Sequence, residues 1–267
     1  MQAANHLRNV FAAGKQAMGM WQMIPGANVS RILASSGVDW VMVDCEHGNI
    51  DDRAMHDAVP AIAALGVSPI VRIPDMQGWM VKPYNLTSTQ ILVPMLRSAA
   101  QAREVVQSAK FPPGGKRGFG SPVALSRFRP EPSFTEYLQQ ANDALLTMVQ
   151  IETQEALDEV EEIAAVQGVD VLFVGPFDLG NNLGHPILDG VVPDELKAAI
   201  ARILQATHKA GKKCGMYCAN GAQAQASAAQ GFDMINVATD YTSLQTLVKE
   251  EFSVASSQAK PERGVSY

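Results

Sequence analysis

The chain has 267 residues, 47% of them apolar, and a formal net charge of −6 at pH 7. This length and apolar content suit one large α/β domain with a sizeable core. The acidic balance argues against nucleic acid as a main partner, because phosphate binding requires a basic surface.

Short apolar runs alternate with longer helical patterns along the chain. The runs lack clean two-residue alternation, as expected for parallel strands buried on both faces. Strands are predicted at 18–23, 40–44, 69–73, 91–95, 145–151, 169–174, 213–216 and 234–237, and helices at 30–36, 51–65, 99–110, 153–167, 193–210, 222–230 and 241–253. This alternation predicts a single-domain (β/α)8 TIM barrel over residues 1–255 and a flexible tail at 256–267. An open doubly wound sheet is the alternative, but the chain lacks the glycine-rich turn that such a sheet carries after its first strand.

Two predicted connections, 111–137 and 175–192, are longer than ordinary loops and contain several Pro and Gly residues. Long connections inside a compact domain are usually functional or disordered. We expect both to lie on the face where the strands end, which is where barrel enzymes carry their active sites.

The expected cellular setting follows from what the sequence lacks. No apolar run approaches the ~20 residues of a membrane-spanning helix, and the first residues lack the apolar core of a signal peptide. Three cysteines, Cys45, Cys214 and Cys218, are too few and too irregular for a disulfide framework. We therefore expect a cytoplasmic protein that binds no membrane.

Charged or imidazole groups follow four of the predicted strands, and barrel geometry brings such groups together. Glu152 and Asp178, after successive strands, could share a hard cation such as Mg²⁺, although each also suits a structural role, as a first-turn acid and a helix N-cap respectively. His47 could move a proton near neutral pH or cap the next helix. Arg72 requires an anion, which could be a substrate carboxylate or a structural partner such as Glu46 or Glu152.

Five ordered motifs read DCEHG at 44–48, VRIP at 71–74, PPGGKRG at 112–118, VQIET at 149–153 and VGPFDL at 174–179. Together they resemble the HpcH/HpaI aldolase family, the class II metal-dependent pyruvate aldolases with their macrophomate synthase-like relatives. The resemblance runs from about residue 19 to about residue 241. It implies the TIM-barrel fold and a homohexamer, a trimer of dimers, in which C-terminal helices are exchanged between subunits.

The resemblance also implies roles for individual residues. Glu152 and Asp178 would hold a divalent metal, Mg²⁺ in the first instance, with Mn²⁺ and Co²⁺ as alternatives. Arg72 would contact the keto oxygen of the substrate and stabilise its enolate. His47 would move protons through a water, supported by Asp44.

Three further residues would complete the substrate site: Gln150, the backbone near Phe177, and Trp21. One region departs from the family, whose members carry an aspartate between the third and fourth strands that assists the histidine of a neighbouring subunit. Here Asn85 or Leu86 takes that place, and neither is a carboxylate.

The implied activity is retro-aldol cleavage of a 4-hydroxy-2-oxo acid into pyruvate and an aldehyde, through a metal-bound pyruvate enolate. Oxaloacetate decarboxylation, or macrophomate synthase-like C–C bond formation by the enolate, is an alternative because each uses the same enolate. A catalytically reduced protein that only binds a 2-oxo acid is a third alternative. In each case the expected partner is a small 2-oxo acid.

Overall fold

A computed structural model of the chain describes residues 5–77, 90–119, 125 and 131–256. Eight parallel strands form a closed barrel in sequence order, with β1 hydrogen-bonded to both β2 and β8. The strands are β1 Ala17–Gln22, β2 Trp40–Asp44, β3 Ser68–Arg72, β4 Gln90–Val93, β5 Leu146–Ile151, β6 Val171–Val174, β7 Lys213–Met216 and β8 Met234–Thr239. The predicted barrel is confirmed, and every predicted strand is found with bounds within two residues.

Helices surround the barrel in the part of the chain that the structure describes. They are α1 His6–Ala12, α2 Ala27–Ala34, α3 Asp52–Ala63, α4 Ala99–Ala109, α5 Phe134–Ala144, α6 Gln154–Asp158, α7 Val160–Ala164, α8 Pro176–Asn182, α9 Asp194–Lys209, α10 Gly221–Gln230 and α11 Asp240–Ser256. Helices α1, α5 and α8 were not predicted, and the helix predicted at 153–167 is divided into α6 and α7. The positions of Asn85 and Leu86 and the predicted tail from residue 257 onward lie outside the described residues.

The barrel interior is a packed core rather than a channel, as is usual for eight parallel strands. Large side chains from several strands fill it, among them Trp40, Met42, Ile70, Leu92 and Phe173, all of them fully buried. Helix α1 closes the amino ends of the strands, because its Leu7 is fully buried against the same cluster. The floor of the carboxyl-end cavity is therefore formed by packed apolar side chains.

The segment that follows α4 lies at the amino ends of the strands, so the prediction that it borders the strand carboxyl ends is wrong for its described part. Lys116 and Arg117 donate backbone hydrogen bonds to Gln107 and Lys110, at the end of α4. Lys110 in turn lies 3.7 Å from the carboxylate of Asp170, just before β6. The physical reason is connectivity: a segment that follows a helix in this fold leads back to the start of the next strand.

Helix α11 presents apolar side chains to solvent. Tyr241, Leu244, Val248 and Phe252 recur at helical spacing along one face and are 50%, 55%, 56% and 73% exposed. Among the described residues, no helix is long and apolar enough to cross a membrane. All three cysteines are buried free thiols.

Candidate active site

The carboxyl ends of the strands surround an open cavity of about 250 Å³, slightly below the usual volume of pockets for drug-sized ligands, so it suits a smaller molecule. The structure brings together all eight residues that the sequence analysis selected. The cavity is lined by Trp21, Met23, Asp44, His47, Arg72, Gln150, Glu152, Gly175, Pro176, Phe177, Asp178 and Tyr217.

A buried ion pair between Asp44 and Arg72 anchors one side of the cavity. The two residues are register partners at the ends of β2 and β3. Arg72 donates from Nε to Asp44 Oδ1 at 2.9 Å and from Nη2 to Oδ2 at 2.6 Å, while the indole of Trp21 donates to Oδ2 at 3.0 Å. Burial acts to raise the pKa of Asp44, but the hydrogen bonds and charge of Arg72 outweigh it, so this pKa lies below its usual value. Asp44 therefore stays ionised.

Arg72 also forms an ion pair with Glu46, from Nη1 to Oε2 at 3.0 Å. Of the two structural partners expected for Arg72, Glu46 therefore forms an ion pair with it, whereas Glu152 acts on it only through a longer-range charge. Because Asp44 engages one of the two N–H groups on Nη2, and the contact from Nη1 to Gln150 is long at 3.4 Å, the guanidinium retains donor capacity for another oxygen.

Gln150 links the guanidinium to the carboxylate of Glu152. Its Oε1 faces Arg72, and its Nε2 donates to Glu152 Oε2 at 2.8 Å. The other carboxylate oxygen accepts the backbone N–H of Met95 at 2.7 Å. A side chain on Gly175 would place Cβ 2.2 Å from Glu152 Oε2, so this position must lack one. Burial raises the pKa of Glu152 to about 7.

Asp178 lies in the first turn of α8 and lines the same cavity. The N-cap of that helix is Gly175, so the structural alternative in which Asp178 is the N-cap is wrong. Two carboxylates, Glu152 and Asp178, therefore supply hard oxygen donors to one cavity. No group of three or more His, Cys, Asp or Glu side chains suited to a metal ion occurs among the described residues. A divalent cation fits this pair, since Mg²⁺ commonly takes one or two carboxylates and completes its shell with water and substrate.

His47 borders the cavity with a side chain that is 58% exposed. Its Nε2 lies 3.8 Å from Glu46 Oε1, and its backbone N–H donates to Asp44 Oδ1 at 3.1 Å. Helix α3 is capped by Asp51, so the alternative in which His47 caps that helix is wrong. The exposed ring is free to reach a bound molecule.

An aromatic wall closes another side of the cavity. Tyr217 meets Trp21 edge-on, with ring centroids 5.3 Å apart, and Phe177 at 6.1 Å. Its hydroxyl lies 2.9 Å from Thr239 Oγ1. Four lining residues were not selected from the sequence: Met23, Gly175, Pro176 and Tyr217. The position of Tyr217 directly after β7 was the available signal, because it follows the same strand-end rule as the residues that were selected.

The chain is similar to known proteins over nearly its whole length. A sequence profile of the HpcH/HpaI aldolase/citrate lyase family matches residues 17–246. A hydroxypyruvate/pyruvate aldolase of Deinococcus radiodurans is 35% identical, covering 97% of this chain and 94% of that protein. A 2-dehydro-3,6-dideoxy-6-sulfogluconate aldolase of Pseudomonas putida is also 35% identical, over 92% and 94% of the two chains. The crystal structure of an HpcH/HpaI aldolase from Desulfitobacterium hafniense superimposes with a TM-score of 0.86 at 29% identity, over 97% and 99% of the two chains.

Proposed function

The chain belongs to the HpcH/HpaI aldolase/citrate lyase family and is a carbon–carbon lyase, and we propose that it cleaves a 4-hydroxy-2-oxo acid into pyruvate and an aldehyde. The observation that carries this proposal is the continuous chain of contacts Asp44–Arg72–Gln150–Glu152 in a cavity that also contains Asp178. It joins a fixed guanidinium to Glu152, one of the two carboxylates in the cavity. The names of the aldolase relatives support the same reaction class.

We propose that Glu152 and Asp178 hold a divalent metal, with Mg²⁺ as the first candidate and Mn²⁺ or Co²⁺ as alternatives. Such an ion, when bound, would act as a Lewis acid toward the 2-oxo group of the substrate. Gln150 and the N–H of Met95 would orient the carboxylate of Glu152, since ligating carboxylates are held by hydrogen bonds from a surrounding shell.

Arg72 would bind the keto oxygen of the substrate and stabilise the negative charge that this oxygen gains during cleavage. Asp44 holds the guanidinium by two hydrogen bonds, so little reorganisation is required as the charge develops. The substrate carboxylate would lie at the start of α8, near the backbone of Phe177, and Trp21 would pack beside it.

His47 would move the proton that the reaction releases. In retro-aldol cleavage the 4-hydroxyl loses its proton, the C3–C4 bond breaks, and the electron pair of that bond forms the enolate of pyruvate. The enolate then takes a proton at C3. The exposed imidazole, with Glu46 beside it, is suited to accept the first proton directly or through water.

A decisive experiment measures pyruvate release from a panel of 4-hydroxy-2-oxo acids by metal-free protein and by protein supplied with Mg²⁺ or Mn²⁺. Release should depend on metal and should be lost in Glu152→Gln and Asp178→Asn. The matched controls Glu162→Gln and Asp194→Asn replace exposed first-turn acids and should retain activity. Absence of release across the panel from metal-bound protein would refute the aldolase proposal.

Oxaloacetate decarboxylation should be measured on the same preparation, because loss of CO₂ from oxaloacetate gives the same enolate without a 4-hydroxyl proton to remove. The lack of a carboxylate at Asn85 or Leu86 favours this second candidate, since the family aspartate at that place assists proton transfer. Decarboxylation without aldol cleavage would make it the main activity, and binding of pyruvate without either reaction would indicate a binding protein.

We also propose that the chain acts as a homo-oligomer, a hexamer in which α11 packs on a neighbouring subunit. The exposed apolar face of α11 supports this assembly, because burying that face would remove it from water. Light scattering of Leu244→Asp/Val248→Asp should give a smaller mass than wild type, whereas Thr242→Asp/Lys249→Asp on the same helix serves as the control. The free buried thiols support a cytoplasmic location.

A further inference from the structure

The turn at residues 94–97, directly after β4, has an unusual backbone conformation beside Glu152. Met95 has φ +53°, in the left-handed region that residues with a side chain rarely adopt. In this conformation its backbone N–H donates to Glu152 Oε1 at 2.7 Å. A residue held in such a conformation indicates that the surrounding contacts fix it, and such residues cluster at functional sites.

The contacts that fix the turn come from the segment that follows β5. Thr153, which is fully buried, donates from Oγ1 to the carbonyl of Leu96 at 2.8 Å. Arg97 donates from Nη1 to Glu155 Oε1 at 2.7 Å. The neighbouring residues Glu152 and Thr153 thus bind opposite backbone groups of one turn, an N–H and a carbonyl.

Glu152 is enclosed on its remaining sides as well. Gln150 donates to its second oxygen, and the backbone at Gly175 approaches so closely that a Cβ would meet Oε2 at 2.2 Å. Each carboxylate oxygen accepts one hydrogen bond, and a carboxylate has about four acceptor positions. The enclosure therefore sets the direction of the carboxylate and leaves acceptor positions for a cation.

We propose that the turn at residues 94–97 is a positioning element, in which Thr153 holds the turn and left-handed Met95 donates the N–H that orients Glu152 for the cation. This inference rests on the proposed metal site. At position 95 the backbone N–H orients Glu152, so methionine can be replaced by any residue that keeps φ positive. At position 153 the side-chain hydroxyl holds the turn.

The first test compares Thr153→Val, which removes the hydroxyl at nearly constant shape, with Thr153→Ser, which retains it. Mn²⁺ affinity of the full chain is measured from the paramagnetic resonance signal of free Mn²⁺, and thermal unfolding is measured without metal. Thr153→Val should weaken Mn²⁺ binding about 10-fold, the smaller end of the loss expected when a residue that supports a metal ligand is replaced. Thr153→Ser should retain wild-type affinity.

The matched control is Ser133→Ala. Ser133 caps α5 as Thr153 caps α6, so both Ser133→Ala and Thr153→Val lose a helix cap and should lower the metal-free unfolding temperature. Only Thr153→Val should weaken Mn²⁺ binding. Equal Mn²⁺ affinity in wild type and Thr153→Val would overturn the inference.

A second pair keeps the test decisive if Thr153→Val does not fold. Met95→Gly tolerates positive φ and retains the N–H, so it should bind Mn²⁺ as wild type does. Met95→Val disfavours positive φ and should bind more weakly. Equal affinity in these two variants would also overturn the inference. If the wild-type protein does not bind Mn²⁺, the proposed metal site and this inference are both refuted. Wild type that binds Mn²⁺, with equal affinity in the paired variants, refutes this inference alone.

Discussion

Glu152→Gln is expected to stabilise the metal-free protein at pH 8 and to abolish its stabilisation by metal. Burial raises the pKa of Glu152 from 4.5 to about 7. The folded chain therefore holds a proton that the unfolded chain has released between these two values, and the stability of the metal-free protein falls as pH rises through that window. Glutamine does not ionise, so the variant avoids this loss.

The magnitude follows from the pKa difference. At about 1.4 kcal/mol per pH unit, a pKa raised from 4.5 to about 7 destabilises the metal-free fold by about 3 kcal/mol once Glu152 is ionised. The NH₂ group of the introduced glutamine would face the Nε2 donor of Gln150, and this loss of a hydrogen bond costs about 1 kcal/mol. The net gain at pH 8 is about 2 kcal/mol, or about 4–8 °C in Tm for a domain of this size.

The assay is thermal unfolding of chelator-treated protein at several pH values from 4.5 to 8, with and without Mn²⁺. The difference between wild type and Glu152→Gln isolates this residue from other titrating groups. Below pH 5 that difference should disappear or favour wild type. With Mn²⁺ at pH 8 the order should reverse, because only wild type retains both carboxylates. The control is Glu162→Gln, which replaces an exposed acid in the first turn of α7, and it should show neither effect.

Two results would refute the reasoning. One is a Glu152→Gln variant that is less stable than wild type at pH 8 without metal, since that would mean that the ionised carboxylate is well accommodated. The other is equal stabilisation of both proteins by Mn²⁺, which would remove Glu152 from the metal site.

Three further variants test the rest of the site. Arg72→Lys should lower kcat for pyruvate release at least about 100-fold with little change in Mn²⁺ affinity, because lysine cannot bind Asp44 bidentately; unchanged kcat would contradict the role of the guanidinium. His47→Asn should leave the unfolding temperature unchanged, since the ring is exposed, and should reduce aldol cleavage more than oxaloacetate decarboxylation; equal loss of both activities would remove His47 from the proton step. Gly175→Ala should abolish Mn²⁺ binding in a titration, because its Cβ would displace the carboxylate of Glu152, and normal binding would show that the cavity yields easily.

The sequence predicted which residues share the cavity better than it predicted the contacts among them. All eight selected residues line one cavity, because each follows a strand end or lies close to one and parallel strands place these ends on one face. It did not predict that Asp44 takes Arg72 as its bidentate partner, because that pairing depends on the register between β2 and β3. Register is a long-range property that a single strand does not carry.

Two differences between prediction and structure arise in segments whose Pro and Gly content suggests a loop. Composition and length predict that the segment at 111–137 borders the strand carboxyl ends, whereas its position after a helix determines that its described part lies at the amino ends of the strands. Helix α8 escapes prediction because Pro176, Gly180 and Asn181, residues typical of loops, lie within it, although Pro is well suited to the first turn of a helix.

By itself the sequence determined the order of buried strands, the barrel, and the set of polar groups at its carboxyl end, because burial and strand direction leave a local pattern. Only the tertiary structure decided which of those groups meet. The bridge from Arg72 through Gln150 to Glu152, and the left-handed Met95 that donates to the same carboxylate, join residues far apart in the chain. Such contacts exist only once the barrel is closed and its strands are in register, so no local pattern specifies them.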